Sequence, residues 1–155
     1  NNNKKKRKFL TPFLGLVLVL LMSCNDDDNQ TDTNTLTGEW RITAISNSDS
    51  PLGPVVEPES GEEISIQFLR NGAFTGSTSR NEISGDSSVS SNTLSVSALL
   101  TTEALDTAFG TAFYEAMYDS GNNNAGLSVF NMIIVDGNNI NLEYDDVKFM
   151  SIERK

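Results

Sequence analysis

"TTEALDTAFGTAFYEAMYDS", residues 101–120, is the one stretch of this chain whose apolar residues recur at helical spacing over several turns. Leu105, Ala108, Phe109, Ala112, Phe113, Ala116 and Met117 fall three and four residues apart and form one continuous stripe. The spacing predicts a helix capped by Thr101 or Thr102. Glu103 and Asp106 then sit in its first turn, where the helix dipole favours negative charge, and Gly121 marks its stop. Gly110 falls inside that helix, at a cost of about 1 kcal/mol relative to alanine. A stripe this broad, with Tyr114 beside Phe109 and Phe113, reads as the cover of a sheet's apolar face rather than as the wall of a ligand pocket.

Everything around the helix reads as short strands with turn signals between them. "GEWRITAI" at 38–45 places Trp40 and Ile42 on one side at period-2 spacing. A loop follows through Pro51, Pro54 and Pro58. "ISIQF" then alternates, with Ile64, Ile66 and Phe68 inward. Asn71-Gly72 and Asp136-Gly137 are hairpin dipeptides, the first leading to Phe74 and the second joining "SVFNMIIV" to "INLEY". Leu94 and Val96 alternate with serines, and a turn at Tyr144–Val147 leads to "VKFMSIE". The fold class expected is α+β, mostly β: an antiparallel, strongly curved sheet or half-barrel covered by one amphipathic helix. A lipocalin-like β-barrel is the alternative.

The N-terminal part is of a different kind. The chain of 155 residues has 11 basic and 21 acidic residues and a formal charge of −10. Lys4, Lys5, Lys6, Arg7 and Lys8 all precede the single cysteine, Cys24, so six basic residues face all 21 acidic ones beyond it. Such a surface repels nucleic-acid backbones and anionic headgroups, and no nucleic-acid partner is expected. The basic cluster and the apolar run Phe13–Met22, shorter than the roughly 20 residues of a spanning helix, have the layout of a secretory signal.

Leu21-Met22-Ser23-Cys24 resembles the lipobox of bacterial lipoproteins. The resemblance implies residues 1–23 as a lipoprotein signal peptide, Cys24 as the lipidated first mature residue, and a membrane partner reached through the acyl chains. Residues 24–35 are the lipidated cysteine and an acidic tether without apolar residues after Met22-Ser23-Cys24. Asp26, Asp27 and Asp28 read either as plain linker or as a candidate export signal, since Cys-Asn-Asp-Asp-Asp resembles the acidic tag of surface lipoproteins in Bacteroidota-type bacteria. The implied location is the outer membrane of a Gram-negative cell, periplasmic or surface-exposed.

For residues 36–155, "LTGEWRI" at 36–42, "GAFTGSTSRNEISG" at 72–85 and "LSVSALLTTEAL" at 94–105 resemble the META domain of heat-shock-linked and envelope lipoproteins. Gly76, Asn81, Gly85 and Thr101 match that family's motif, with an enlarged loop at 120–126. The family's two cysteines correspond to Arg80 and Leu105, so the pair is lost together. Ser79 replaces a glycine of the motif.

Chemistry is sparse. The chain has no histidine, and the resemblance commits its one cysteine to lipid. Asp145-Asp146 are adjacent residues of a turn, not a converging carboxylate pair. "DSGNNN" at 119–124 and "DGNN" at 136–139 lack the alternating acids and terminal Glu of a calcium loop. No catalytic residue, metal or cofactor is expected. Arg80 and Asn81 are the binding candidates, against the plainer reading of Asn81 as a cap of local backbone groups. The expected function is a non-catalytic, lipid-anchored envelope protein with a META-like module that binds a protein or small ligand, with a stress-linked role implied. It would bind through a sheet edge or the open end of a half-barrel. The alternatives are a carboxylate-based hydrolase and a lipocalin-like small-ligand binder.

Overall fold

A computed structural model describes residues 35–121 and 126–155. Eight strands follow one another around a closed antiparallel barrel: β1 (Gly38–Ser46), β2 (Ser65–Phe68), β3 (Ala73–Ser77), β4 (Glu82–Ser90), β5 (Thr93–Thr101), β6 (Leu127–Ile134), β7 (Asn139–Tyr144) and β8 (Lys148–Arg154). One helix, α1 (Ala108–Asp119), lies between β5 and β6. Strand β1 pairs with both β2 and β8, so the sheet is a full barrel, the lipocalin-like alternative, and not a half-barrel. Closure removes the free sheet edges through which binding was anticipated.

Period-2 alternation sorts the residues as expected. Trp40, Ile42, Ile64, Ile66, Phe68, Phe74, Leu94 and Val96 are all buried. Two irregularities bend the wall into a barrel. The register of β1 against β8 shifts between Ile42 and Ala44, which brings Ile45 and Ser46 inside. The register of β4 against β5 shifts at Gly85, where a Cβ would meet Ala98 O and the Phe74 ring at 2.8 Å; only glycine lets those strands approach.

The far end of the barrel is plugged by the residues that lead into β1. Trp40 Nε1 donates to Leu36 O at 2.7 Å, and the Arg154 guanidinium lies 4.3 Å from the Trp40 ring centroid. Arg154 also donates to the carbonyls of Thr35 and Thr37. The other end is the mouth that α1 crosses. Phe113 and Met117 point from the helix into the barrel, and Ser128 Oγ and Ser120 Oγ both donate to Met117 O. The interior is packed, with a residual void of about 10 Å³ between Phe68, Phe74, Phe113, Met117, Phe130 and Met150. That is too small to hold a water molecule with any freedom.

The helix is shorter than its apolar pattern. It begins at Ala108 with Thr107 as N-cap, whose side chain accepts Gly110 N at 3.1 Å. Neither Thr101 nor Thr102 caps it, its first turn holds no acid, and Leu105 is 91% exposed. Thr101 instead ends β5, and residues 102–106 run across the rim to the helix. The turns also differ in detail. Asn71 acts through its side chain, accepting Ala73 N, while only Gly72 of that pair has positive φ. Asp136 accepts Asn138 N and Asn139 N, closing its hairpin as an Asx-type turn.

Candidate functional site

The strands deliver a polar joint to the rim where β3, β4 and β5 meet α1. Asn81, just before β4, is 4% exposed, and both ends of its amide are used. Its Nδ2 donates to Ala104 O at 2.8 Å and to Asp106 Oδ2 at 2.9 Å. Its Oδ1 accepts from Ala104 N at 2.8 Å and Thr102 Oγ1 at 2.9 Å. Thr78 Oγ1 donates to Asp106 and accepts Asn81 N at 3.0 Å. Burial opposes ionisation of Asp106. Hydrogen bonds from Thr78, Asn81 and Thr107 outweigh it and hold the carboxyl below the usual range. These bonds explain why the helix starts late: Asn81 grips residues 102–106 in an extended path. They also explain Gly110, which lies in the first turn and not mid-helix. A Cβ there would sit 2.2 Å from the Asp106 carboxyl.

Of the two binding candidates, Asn81 is thus consumed by structure, and Arg80 is exposed on the rim with its backbone N–H directed at Thr78 Oγ1. Arg80 and Leu105, which the family resemblance aligns with a cysteine pair, directly flank the hydrogen-bonded pair Asn81–Ala104. Cys24 and Asp26, Asp27 and Asp28 lie outside the described residues.

A second polar group anchors the opposite side of the mouth. Tyr144 Oη donates to Asn47 Oδ1, while Asn47 Nδ2 donates to Ala112 O at 3.0 Å and Glu115 Oε2 at 3.2 Å. Burial pushes the Tyr144 phenol well above its ordinary value, helped by the carboxylates of Asp119, Asp145 and Glu115. Lys148, with its side chain 10% exposed, reaches Asp49 at 2.9 Å, Asp119 at 3.4 Å and Asp145 at 3.5 Å. The hydrogen bond to Asp49 leads in pushing its ammonium up to about 12, burial opposing and Asp119 assisting. These acids converge on a cation that stays charged, which makes the group an ion-pair knot.

Between the two polar groups, the outer face of α1 forms an open trough. One lobe, about 630 Å³, runs along Leu105, Asp106, Tyr114, Glu115, Tyr118 and Asp119. The other, about 550 Å³, lies between Pro54 and Val56 on one side and Ala108, Ala112 and Glu115 on the other. Asn47, Thr111 and Glu115 line both, so the lobes adjoin. A further groove of about 560 Å³ on the outer wall is floored by Ser65, Thr75, Ser77 and Ser84. Sequence reasoning did not find the trough. Leu105, Tyr114 and the acids of α1 were visible, but their partners come from other parts of the chain: Asn47, just after β1, is 65 residues from Ala112 and 97 from Tyr144, and Lys148 of β8 is 29 residues from Asp119. No local signal links them.

No protein-family model matches the chain, and no curated protein matches it. Solved structures do. A protein from Burkholderia xenovorans, determined by NMR, is 18% identical with a TM-score of 0.55, covering 79% of this chain and 86% of its own. A DUF4847 family protein from Bacteroides vulgatus is 16% identical with a TM-score of 0.48, over 78% of this chain and 94% of its own. A lipocalin-like protein from Bacteroides uniformis is 16% identical with a TM-score of 0.42, over 78% and 99%. Identity this low speaks to the fold alone.

Proposed function

We propose that this chain is a lipid-anchored, non-catalytic envelope protein whose barrel presents a binding surface on its helical lid. The observation that carries the binding reading is the contrast between an internal void of about 10 Å³ and two adjoining outer lobes of about 630 and 550 Å³. A small ligand inside the barrel would have to displace Phe113 and Met117, and hence α1 itself. Against a carboxylate hydrolase, Asp106 and Asp136 are both held below the usual carboxylate range, the opposite of what a general acid needs. Asp49, Asp119 and Asp145 are tied to Lys148.

Anchoring through Cys24 is supported by the lipobox resemblance. Thr35, the first described residue, is bound by Arg154 at the end of the barrel opposite the lid. With Asp26, Asp27 and Asp28 as export signal, the location is the outer membrane, and the META resemblance adds a stress-linked role. Detergent-phase partitioning tests the anchor: the intact protein should enter the detergent phase and Cys24→Ala should not, whereas aqueous partitioning of the intact protein would refute it. Photocrosslinking in cells tests the binding face. A crosslinker at Leu105, on the lid, should give protein or ligand adducts that one at Leu69, on the β2–β3 hairpin, does not. Adducts from Leu69 alone would place binding elsewhere.

A further inference from the structure

We propose that the lid trough binds a basic, amphipathic segment of a partner protein, with Lys or Arg side chains paired to Glu115 and Asp119 and an apolar side chain lodged between Leu105 and Tyr118. This deepens the binding reading above and rests on it.

The apolar half of the argument is exposure. Leu105 is 91% and Tyr118 51% exposed on the two sides of one lobe, and Leu52 and Val55, at 96% and 46%, stand beside Pro54 and Val56 of the other. Leu100, Ile134 and Val135 are exposed too, on the barrel wall and the far hairpin; what sets Leu105 and Tyr118 apart is that they line one concave lobe together with Asp106, Glu115 and Asp119. The charge half is complementarity. Tyr114 and Tyr118 form one row along α1, and Glu115 and Asp119 form the next, each pair four residues and so about 6 Å apart along the axis. A helix or extended segment carrying two cations at similar spacing meets both acids, and the tyrosine faces add attraction for an ammonium or guanidinium.

The C-terminal end of α1 lies at this lobe, and its last turn holds no basic residue, so the helix dipole also favours a cation there. Glu115 is exposed and Asp119 about one-third exposed, which leaves both acids room for an incoming cation despite their contacts with Asn47 and Lys148. Among the described residues the basic side chains at this rim are Lys148, which already pairs with Asp119, and Arg80, whereas Arg70, Arg154 and Lys155 belong to the opposite end.

The test uses the full lipidated chain in phosphatidylcholine nanodiscs, titrated calorimetrically with a 14-residue Lys/Leu amphipathic peptide, with empty discs as reference. Its Glu/Leu counterpart and spermidine serve as the other probes. The Lys/Leu peptide should bind and the Glu/Leu peptide should not. Leu105→Asp, and separately Glu115→Gln with Asp119→Asn, should each weaken binding at least tenfold. Asp86→Asn and Asp136→Asn, on the barrel wall and far hairpin, should leave it within twofold. Equal weakening by those distant variants would reduce the effect to net charge and overturn the proposal. So would spermidine binding as tightly as the peptide, which would make this a small-cation site. Absence of peptide binding alongside crosslinks from Leu105 would refute the basic segment while leaving the binding face standing; absence of both would refute the two together.

Discussion

Replacing Asn81 with alanine should unseat the start of the helical lid. The amide makes four hydrogen bonds, to Thr102 Oγ1, both backbone groups of Ala104, and the Asp106 carboxylate. Bonds between neutral groups contribute about 0.5–1.5 kcal/mol each and one to a charged group about 1.5–3 kcal/mol. Thr102 and Ala104 lie at the surface, so water recovers part of the loss, and the net cost should be about 2–4 kcal/mol. Urea unfolding with an unchanged m-value measures it directly. Asn81→Asp sharpens the test. The new carboxylate faces Ala104 O and Asp106 where an amide NH2 had been, so its folded pKa rises. Stability from a raised carboxyl is present below the unfolded value and lost as pH climbs above it, so the deficit of this variant should grow from about pH 4 upward. An Asn81→Ala protein within about 0.5 kcal/mol of the parent, or an Asn81→Asp deficit independent of pH, would show that Asn81 is not the joint.

Three other outcomes follow from the same geometry. Gly110→Ala gains about 1 kcal/mol of helix propensity, yet its Cβ, 2.2 Å from the Asp106 carboxyl, should displace that group, and melting should show a net loss of about 1–3 kcal/mol. Phe113→Ala should cost about 3–5 kcal/mol and convert the small void at the mouth into a dry cavity that takes up xenon, visible by crystallography. Alkaline pH should unfold the protein from both Lys148 and Tyr144. Each folded pKa is raised, so each contribution is whole below the unfolded value of about 10–10.5 and is lost as pH rises toward 12, at about 1.4 kcal/mol per pH unit per group. Tyr144→Phe should roughly halve that slope in pH-dependent melts.

Most strand positions were legible because alternation at period two is a local property: Ile64, Ile66 and Phe68, or Leu94 and Val96, announce an inward face without reference to any partner. The helical stripe was legible for the same reason, with Phe109, Phe113 and Met117 buried as its spacing required. The boundary was not. Leu105 continues the stripe on paper, but Asn81, more than twenty residues earlier, holds residues 102–106 extended, and a long-range hydrogen-bond set overrides a local period.

Barrel closure likewise had no local signature. Whether a curved sheet stays open or seals depends on β1 meeting β8, residues more than a hundred apart, and on shifts of register at Ala44 and Gly85 that tilt the strands enough to meet. The trough arose the same way, from exposed residues of α1 placed beside Asn47 and Lys148 only after closure. The sequence alone therefore determined most of the inward-facing residues, Leu105 excepted, because burial pattern is written at the period of each element. Only tertiary structure decided that the barrel is sealed, that its interior is full, and that the surface left open for binding is its lid.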